Sequence, residues 1–464
     1  MVLQNIIWDE IKEGTKELYC KGNNIECLKE KIVISSKGNL CTDTYMNLFD
    51  VDTWRKYTLV QRLVLKMELC GEGKVTLRTL GENIEKIEVP FSSLKKVEVT
   101  IPILCECSGK LYFEIKAESK VDFYKASYQT TDEVLQIVRI AIVICTYRRE
   151  QLLKQLLQKL ETVKLSLPES MEVFVVDNAS ELNLKDYSWV HLYHNSNTGG
   201  SGGFSRGMDE VTNHYKEFGT TNVLLMDDDV VLQQESILRL YSLLSYTKEE
   251  YIEEIVAGRM FRLDKPWIQY TAAEVWNGGD LRHIGFELNM CQKENLSAFN
   301  DNRGAEYSGW WFCCIPYGFV KDNRPLPFFL HCDDVEYGLR HGGTPIILNG
   351  IQVWHETYEY RQNAVVAYYD YRNSLFINEL FHCRKSVEDI LSDWKTRITK
   401  KHIEKDYVGE YLLIRALWDY SKGISWMRKV NITKLNTSLY NIKTCKFKNA
   451  IAWRYVENKI KKHY

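Results

Sequence analysis

Between Ile140 and Asp229 the chain alternates solid apolar runs with helical spacing, and few folds accept that pattern. Ile140-Ala-Ile-Val-Ile-Cys145 is apolar at every position, as a strand is when both faces of its sheet are covered. Leu152, Leu153, Leu156, Leu157 and Leu160 then follow at the spacing of one helical face. Glu172-Val-Phe-Val-Val176 reads as a second buried strand, running into Asp177-Asn178. A glycine-rich stretch, Gly199–Gly207, precedes a third strand, Asn222–Met226, which ends in Asp227-Asp228-Asp229. Strands and helices in alternation predict an α/β sheet. Such sheets bind ligands beyond the carboxyl ends of their strands, where these polar residues lie.

The flanks read differently. Up to about residue 135 short β-branched and aromatic segments recur: Leu59–Leu69, Val75–Leu80, Lys96–Ile101, Lys110–Ala117 and Val121–Tyr128. Gly71-Glu72-Gly73 and Ser108-Gly109 look like turns between them. Short strands at this spacing predict a β-sandwich or jelly-roll. From about Leu375 the pattern is mainly helical. The expected division is 1–135, a β-sandwich; 136–375, the α/β domain; and 376–464, a helical, basic region. A length of 464 residues is ample for about three domains.

Charge narrows the partners. With 60 basic and 62 acidic side chains the net charge is −2, which argues against a nucleic-acid partner. The charge is unevenly spread: Ser421–Tyr464 holds 11 Lys/Arg against one acid, Glu457. The 13 cysteines are odd in number and scattered. Neither Cys105-x-Cys107 nor Cys313-Cys314 has zinc-site spacing, so reduced thiols of a cytoplasmic protein are expected. Met1 is not followed by a basic segment and a long apolar core, so no secretory leader is expected. No apolar run approaches the ~20 residues that span a bilayer.

Three clusters could carry chemistry. Asp227-Asp228-Asp229 places three carboxylates on one turn, which is tolerable facing water or around a hard divalent cation. Alternate residues of such a turn can point one way, which selects Asp227 and Asp229 as ligands. The plain alternatives are a solvated loop or a cap for a helix near Ser236. Asp333-Asp334 follows Pro327-Phe-Phe-Leu330 and suits general-base work beside a metal–diphosphate site, or else caps a helix. His355, in Val353-Trp-His355, is a structural imidazole or a third metal ligand.

Other features are weaker. Asn197-Thr-Gly-Gly-Ser-Gly-Gly-Phe-Ser-Arg206-Gly can bring backbone N–H groups close to an anion. It is neither a P-loop nor a dinucleotide fingerprint. A cation in Thr146-Tyr-Arg148-Arg149 could meet a diphosphate. Trp310, Trp311 and Tyr307 could stack on a sugar, or be core.

In this order these features resemble the inverting glycosyltransferases of family 2, with the GT-A fold. More narrowly, the chain is similar to the bacterial galactofuranosyltransferases of the mycobacterial galactan-building group. The carriers are Asn197–Met208, Ser308-Gly-Trp-Trp-Phe312, Asp333-Asp-Val-Glu-Tyr-Gly-Leu-Arg340, Trp354-His355 and Tyr368-Tyr-Asp-Tyr-Arg-Asn373. The resemblance implies that Asp227, Asp229 and His355 bind Mn²⁺ or Mg²⁺ and that Asp334 is the general base. It implies donor contacts from Thr146, Arg148, Asp177, Gly200, Arg206, Asp228, Trp310 and Trp311. It places Asp333 and Glu274 at the acceptor. Cys332 stands where that group has Trp, and the chain is shorter.

The function so implied is metal-dependent transfer of a sugar, foremost galactofuranose from its UDP ester. The acceptor would be a hydroxyl of a growing, lipid-linked polysaccharide of the capsule or cell envelope. The basic, aromatic tail (Trp426, Phe447, Trp453) suits an anionic membrane surface, which would put a cytoplasmic protein at the inner face of the plasma membrane. The reading leaves room for a homo-oligomer. Two alternatives use the same residues: a non-catalytic glycan-binding scaffold, and nucleotidyl transfer. A family 2 enzyme with another nucleotide sugar is a nearer variant.

Overall fold

The computed structural model describes residues 1–464 apart from 9–13, 81–86, 104–106, 298, 358–362, 382, 384 and 464. Cys105 of the Cys105-x-Cys107 pair thus lies outside the described residues. The first 130 residues form an eight-stranded sheet around Leu40, Phe49, Trp54, Leu65, Phe113, Phe123 and Tyr128. Its spine is one strand of 18 residues, Leu63–Leu80. The first half pairs with Val121–Thr130 and the second with Lys110–Ala117, so the sheet folds over on itself. The expected turn at Gly71-Glu72-Gly73 is therefore corrected to a bulge inside a continuous strand. Gly71 sits at φ +122°, and a β-carbon there would lie 2.4 Å from the Lys120 carbonyl. Glycine marks a bulge here because another backbone passes too close for a side chain.

The second sheet has ten strands. Ile140–Thr146 lies at its centre, parallel to Met171–Asp177 on one side and Asn222–Asp227 on the other. Cys313–Pro316 inserts antiparallel between Asn222–Asp227 and Val256–Arg262. Ile346–His355 pairs with Val256–Arg262 and with the short strand Val231–Leu232. The central strands are buried on both faces, as their unbroken apolar runs require. The helix Glu150–Ser166 packs Leu153, Leu156, Leu157, Leu160 and Val163 onto the sheet. Leu152 is not on that face; one step from Leu153 turns it about 100° toward solvent. This is the α/β, GT-A-like core expected, preceded by a strand-rich domain and followed by helices.

The helices open at Ala364, so residue 376 falls inside the helix Ala364–Leu380 rather than at a boundary. Leu375, Phe376, Trp394, Leu412, Leu417 and Met427 share one core with Trp276, Phe328 and Val335 of the α/β domain. The β domain is tied on equally firmly. Arg239, fully buried, bonds Glu235 at 2.9 Å and the carbonyls of Asn349 and Met46 at 3.0 and 2.7 Å. Asn5 donates to both oxygens of Glu235. A buried guanidinium with its donors occupied this way cross-links the amino-terminal strand, a core helix and the strand leading to His355.

Candidate active site

Asp227 closes the strand Asn222–Asp227, and the chain turns through Asp228 and Asp229 into Val231–Leu232. That short strand pairs Val231 with Trp354, which brings His355 back beside the turn. His355 Nε2 lies 3.0 Å from Asp229 Oδ1 and 3.7 Å from Asp227 Oδ2. One ligand atom from each of the three fits within 4.8 Å. Adjacent ligands on a cation about 2.1 Å away are about 3 Å apart, so this spacing suits one divalent ion. Two carboxylates and an imidazole are a donor set for Mn²⁺ or Mg²⁺ more than for a soft, thiolate-seeking metal.

Asp228 points inward. It is buried, and burial pushes its carboxyl up to about 6, against the pull of the Arg149 guanidinium. Arg149 Nη1 bridges Asp228 at 3.0 Å and Asp229 at 2.8 Å. Thr146, buried at the end of the central strand, neighbours Asp228. The residues alone left either arginine open as the cation here, and the resemblance implied Arg148. Instead Arg148 turns outward at φ +57° and pairs with Glu181 at 2.9 Å on the surface. The left-handed residue reverses the alternation of the strand and delivers Arg149 to the triplet. Nothing in the sequence marks that reversal.

Asp177 is fully buried and already committed. Its oxygens accept from the backbone N–H of Ala179, Glu181 and Leu182 at 2.7–2.8 Å. Burial works against the charge, but those donors hold the carboxyl below its ordinary value. It organises the loop after its own strand.

The glycine run is not a loop. Gly199–Asn213 is a helix laid against the central strand. A β-carbon at Gly203 would lie 2.1 Å from Cys145 Sγ, and one at Gly207 2.2 Å from Val143 Cγ1. Gly203 and Gly207 thus serve close helix–strand approach. The first turn reaches the site: a β-carbon on Gly200 would stand 3.8 Å from Asp333 Oδ2. Arg206 lies further along, paired with Glu210 and set over Tyr193, and is not brought to the acids.

Asp333 and Asp334 open the helix Asp333–His341. Both carboxyls are pushed above the ordinary range, by burial first, and Asp334 further by the charge of Asp333 beside it. Asp333 also feels Asp227, and Asp334 feels Glu274. The later acid pair and the triplet therefore belong to one electrostatic cluster. Glu274 faces His283 across a two-stranded hairpin, with its carboxylate 2.6 Å from Nδ1. Burial raises it despite that contact.

Trp310 and Trp311 are 5% and 2% exposed. Trp310 packs edge-on to Phe204 and Tyr337, and Trp311 donates to the Gly258 carbonyl at 2.8 Å. Neither offers an open face to a sugar here. His331, which sequence reading did not single out, and Asp370, quoted there only within Tyr368–Asn373, join the cluster. His331 Nδ1 bonds Asp370 Oδ1 directly before the acid pair.

With this geometry in hand, comparison with known proteins is specific. Residues 15–131 match the family described as galactofuranosyltransferase 2 N-terminal, and residues 141–277 match glycosyl transferase family 2. The chain is 26% identical over 387 residues to galactofuranosyltransferase GlfT2 of Mycobacterium tuberculosis, covering 75% of this chain and 59% of that protein. It is 25% identical over 432 residues to GlfT2 of Mycolicibacterium smegmatis, covering 85% of this chain and 66% of that one. The chain thus spans about three-fifths to two-thirds of the length of these relatives. A solved mannosyltransferase from Pyrobaculum calidifontis, in complex with GDP-Man and Mn²⁺, aligns with 71% of this chain and 90% of its own at 10% identity, with a TM-score of 0.34. The resemblance drawn from the sequence, a family 2 glycosyltransferase of the galactofuranosyltransferase kind, is borne out.

Proposed function

We propose that this chain is an inverting glycosyltransferase that moves galactofuranose from UDP-galactofuranose to a hydroxyl of a growing surface polysaccharide. The observation that carries the reading is convergence. The acidic triplet lies more than a hundred residues before both the buried acid pair and His355, yet His355 stands beside it and the acid pair feels its charge. A divalent cation held by Asp227, Asp229 and His355 would neutralise the departing diphosphate. Arg149 adds a fixed positive charge beside those ligands, suited to a diphosphate oxygen.

Asp334 is the general base. As the acceptor oxygen attacks the anomeric carbon, its proton passes to the Asp334 carboxylate. The bond from that carbon to the diphosphate breaks on the opposite face, and its electron pair leaves with UDP. A carboxyl raised toward neutrality is a better base for a hydroxyl than an ordinary one. Thr146, Asp177 and Asp228 shape the donor side, and Asp333 and Glu274 the acceptor side. Trp310 and Trp311 would serve the sugar by holding the wall behind it.

We assign the membrane surface to the last helix, Lys446–His463. Val456 and Ile460 are buried against the neighbouring helices, while Phe447, Ile451 and Tyr455 are 74%, 57% and 61% exposed. That i, i+4, i+8 spacing makes an outer apolar stripe flanked by lysines, the layout of a helix lying on anionic lipid. Among the described residues no helix is long and apolar enough to cross a bilayer.

The test is UDP release from a panel of UDP-sugars, with and without Mn²⁺, by the native chain and Asp334→Asn. The expectation is metal-dependent release, greatest with UDP-galactofuranose and at least 100-fold lower in the variant. Glycan binding without turnover would point to a scaffold, and pyrophosphate as product to nucleotidyl transfer.

A further inference from the structure

The segment Phe329–Cys332, immediately before the acid pair, is unusual in its backbone. Phe329, His331 and Cys332 all sit in the left-handed region, at φ +77°, +60° and +66°. For residues other than glycine each such conformation is strained and persists only where its surroundings impose it. Here the helix Ala364–Leu380 does so. Arg372 Nη2 donates to the Phe328 carbonyl at 2.9 Å. Asn373 Nδ2 donates to the carbonyls of Leu330 and His331 at 2.8 and 2.9 Å. Phe329 stacks on Tyr369, and its N–H donates to Ser201 at 2.8 Å. Three successive turns of chain are thus strapped to one helix, and what the strap presents is His331.

His331 is bonded through Nδ1 to Asp370 Oδ1, two positions before Arg372 on that same helix. The charges of Asp333 and Asp334 also act on the imidazole. The Cys332 thiol next to it is pushed far up by burial and is neutral. Asp333 itself feels Asp227, and Asp334 feels Glu274. The cluster therefore holds several carboxylates that repel one another in a poorly solvated place. His331 acts on both members of the acid pair and is able to carry positive charge.

We propose that His331 and Asp370 are positioning residues for the transfer reaction, a clamped carboxylate–imidazole pair that holds a cation against Asp333 and Asp334. Burial drives the imidazole toward its neutral form, but the Asp370 bond and the acid pair outweigh it and its proton affinity is raised. The retained charge favours ionised Asp334, the form that can accept the proton of the sugar hydroxyl. Asp370 acts through His331, and His331 through the base. Neither exchanges a proton with substrate. The inference rests on the assignment of Asp334 as that base.

The test uses the full chain and the variants Asp370→Asn, His331→Gln and His331→Lys. UDP release from UDP-galactofuranose is followed from pH 5 to 9. A charge at this range shifts a carboxylate by about one pH unit or more. Asp370→Asn and His331→Gln should therefore move the acid limb of kcat upward by about one unit, with donor KM changed less than about threefold. His331→Lys, a lasting cation, should restore the native limb. Acid limbs that superimpose on the native one while kcat merely falls would show a structural role only and overturn the proposal. A second readout needs no turnover. The ¹⁵N-labelled imidazole of His331, identified by its loss in His331→Gln, should titrate about one unit lower in Asp370→Asn. An unchanged titration also overturns the proposal. A native chain that released no UDP would reject the base assignment instead, and the imidazole titration would still decide whether the pair holds its charge.

Discussion

Replacing Gly207 by alanine separates two meanings of the glycine run. In a helix interior alanine is better than glycine by about 1 kcal/mol, so an uncrowded site should gain stability. Gly207 is crowded: its β-carbon would meet Val143 Cγ1 at 2.2 Å. Ordinary contact begins near 3.4 Å, so helix or strand must yield by about 1.2 Å. Val143 lies on the central strand, buried on both faces, and cannot swing aside. Forcing one carbon into such packing costs about 1–3 kcal/mol. An overlap this deep belongs at the upper end of that range, so the net expectation is a loss of about 2 kcal/mol after the helical gain is taken off. Gly203→Ala, against Cys145 Sγ, should behave alike. Gly200→Ala meets nothing nearer than 3.8 Å and should be neutral or stabilising. Urea unfolding of the three variants and of Gly207→Ala with Val143→Ala gives the answer. The double variant should recover part of the loss, a coupling of about 1 kcal/mol. If Gly207→Ala is as stable as the native chain, or if Gly200→Ala is the most damaging of the three, close packing is not the reason for these glycines.

Arg149→Ala should raise donor KM by about 10-fold or more, the worth of one charge-assisted hydrogen bond; Arg148→Ala should change it less than threefold, and steady-state kinetics distinguish them. Asp334→Asn should abolish most transfer yet stabilise the fold. The folded-state carboxyl is raised above its unfolded value, so the folded chain binds the extra proton and the native chain loses stability as pH climbs from the ordinary carboxylate range to the raised one. Each tenfold in acidity is about 1.4 kcal/mol. Calorimetry at pH 8 should therefore show a higher Tm for the variant, and little difference near pH 4. Arg239→Met should cost about 3–5 kcal/mol by stranding Glu235, and adding Glu235→Leu should return part of it in chemical unfolding.

Much of this was readable from residues alone. The apolar runs at Ile140 and Glu172 announce buried parallel strands because no other element needs every position apolar. The acidic triplet is legible because carboxylates crowd a strand end only for water or a cation. What the sequence hides is reversal and contact. Arg148 and Arg149 differ by one left-handed residue, which composition does not reveal. Glycines that admit an anion and glycines that admit a strand look identical until Val143 and Cys145 are seen beneath them. Gly71 and Gly73 look like a turn, and only the passing Lys120 carbonyl makes a bulge of them. The His331–Asp370 contact joins residues 39 positions apart, and each alone is unremarkable.

The order of strands in the second sheet has a consequence for how the protein is made. Asn222–Asp227 has no neighbour on its outer side until Cys313–Pro316 arrives, and the triplet has no histidine until residue 355. A nascent chain lengthens by about 5–20 residues per second. An unpaired apolar strand edge and an acidic turn still lacking its imidazole would thus wait several seconds on the ribosome. The folded amino-terminal sheet is available well before then. Slow translation between residues 227 and 355 should raise the share of aggregated product more than the same delay placed after residue 380.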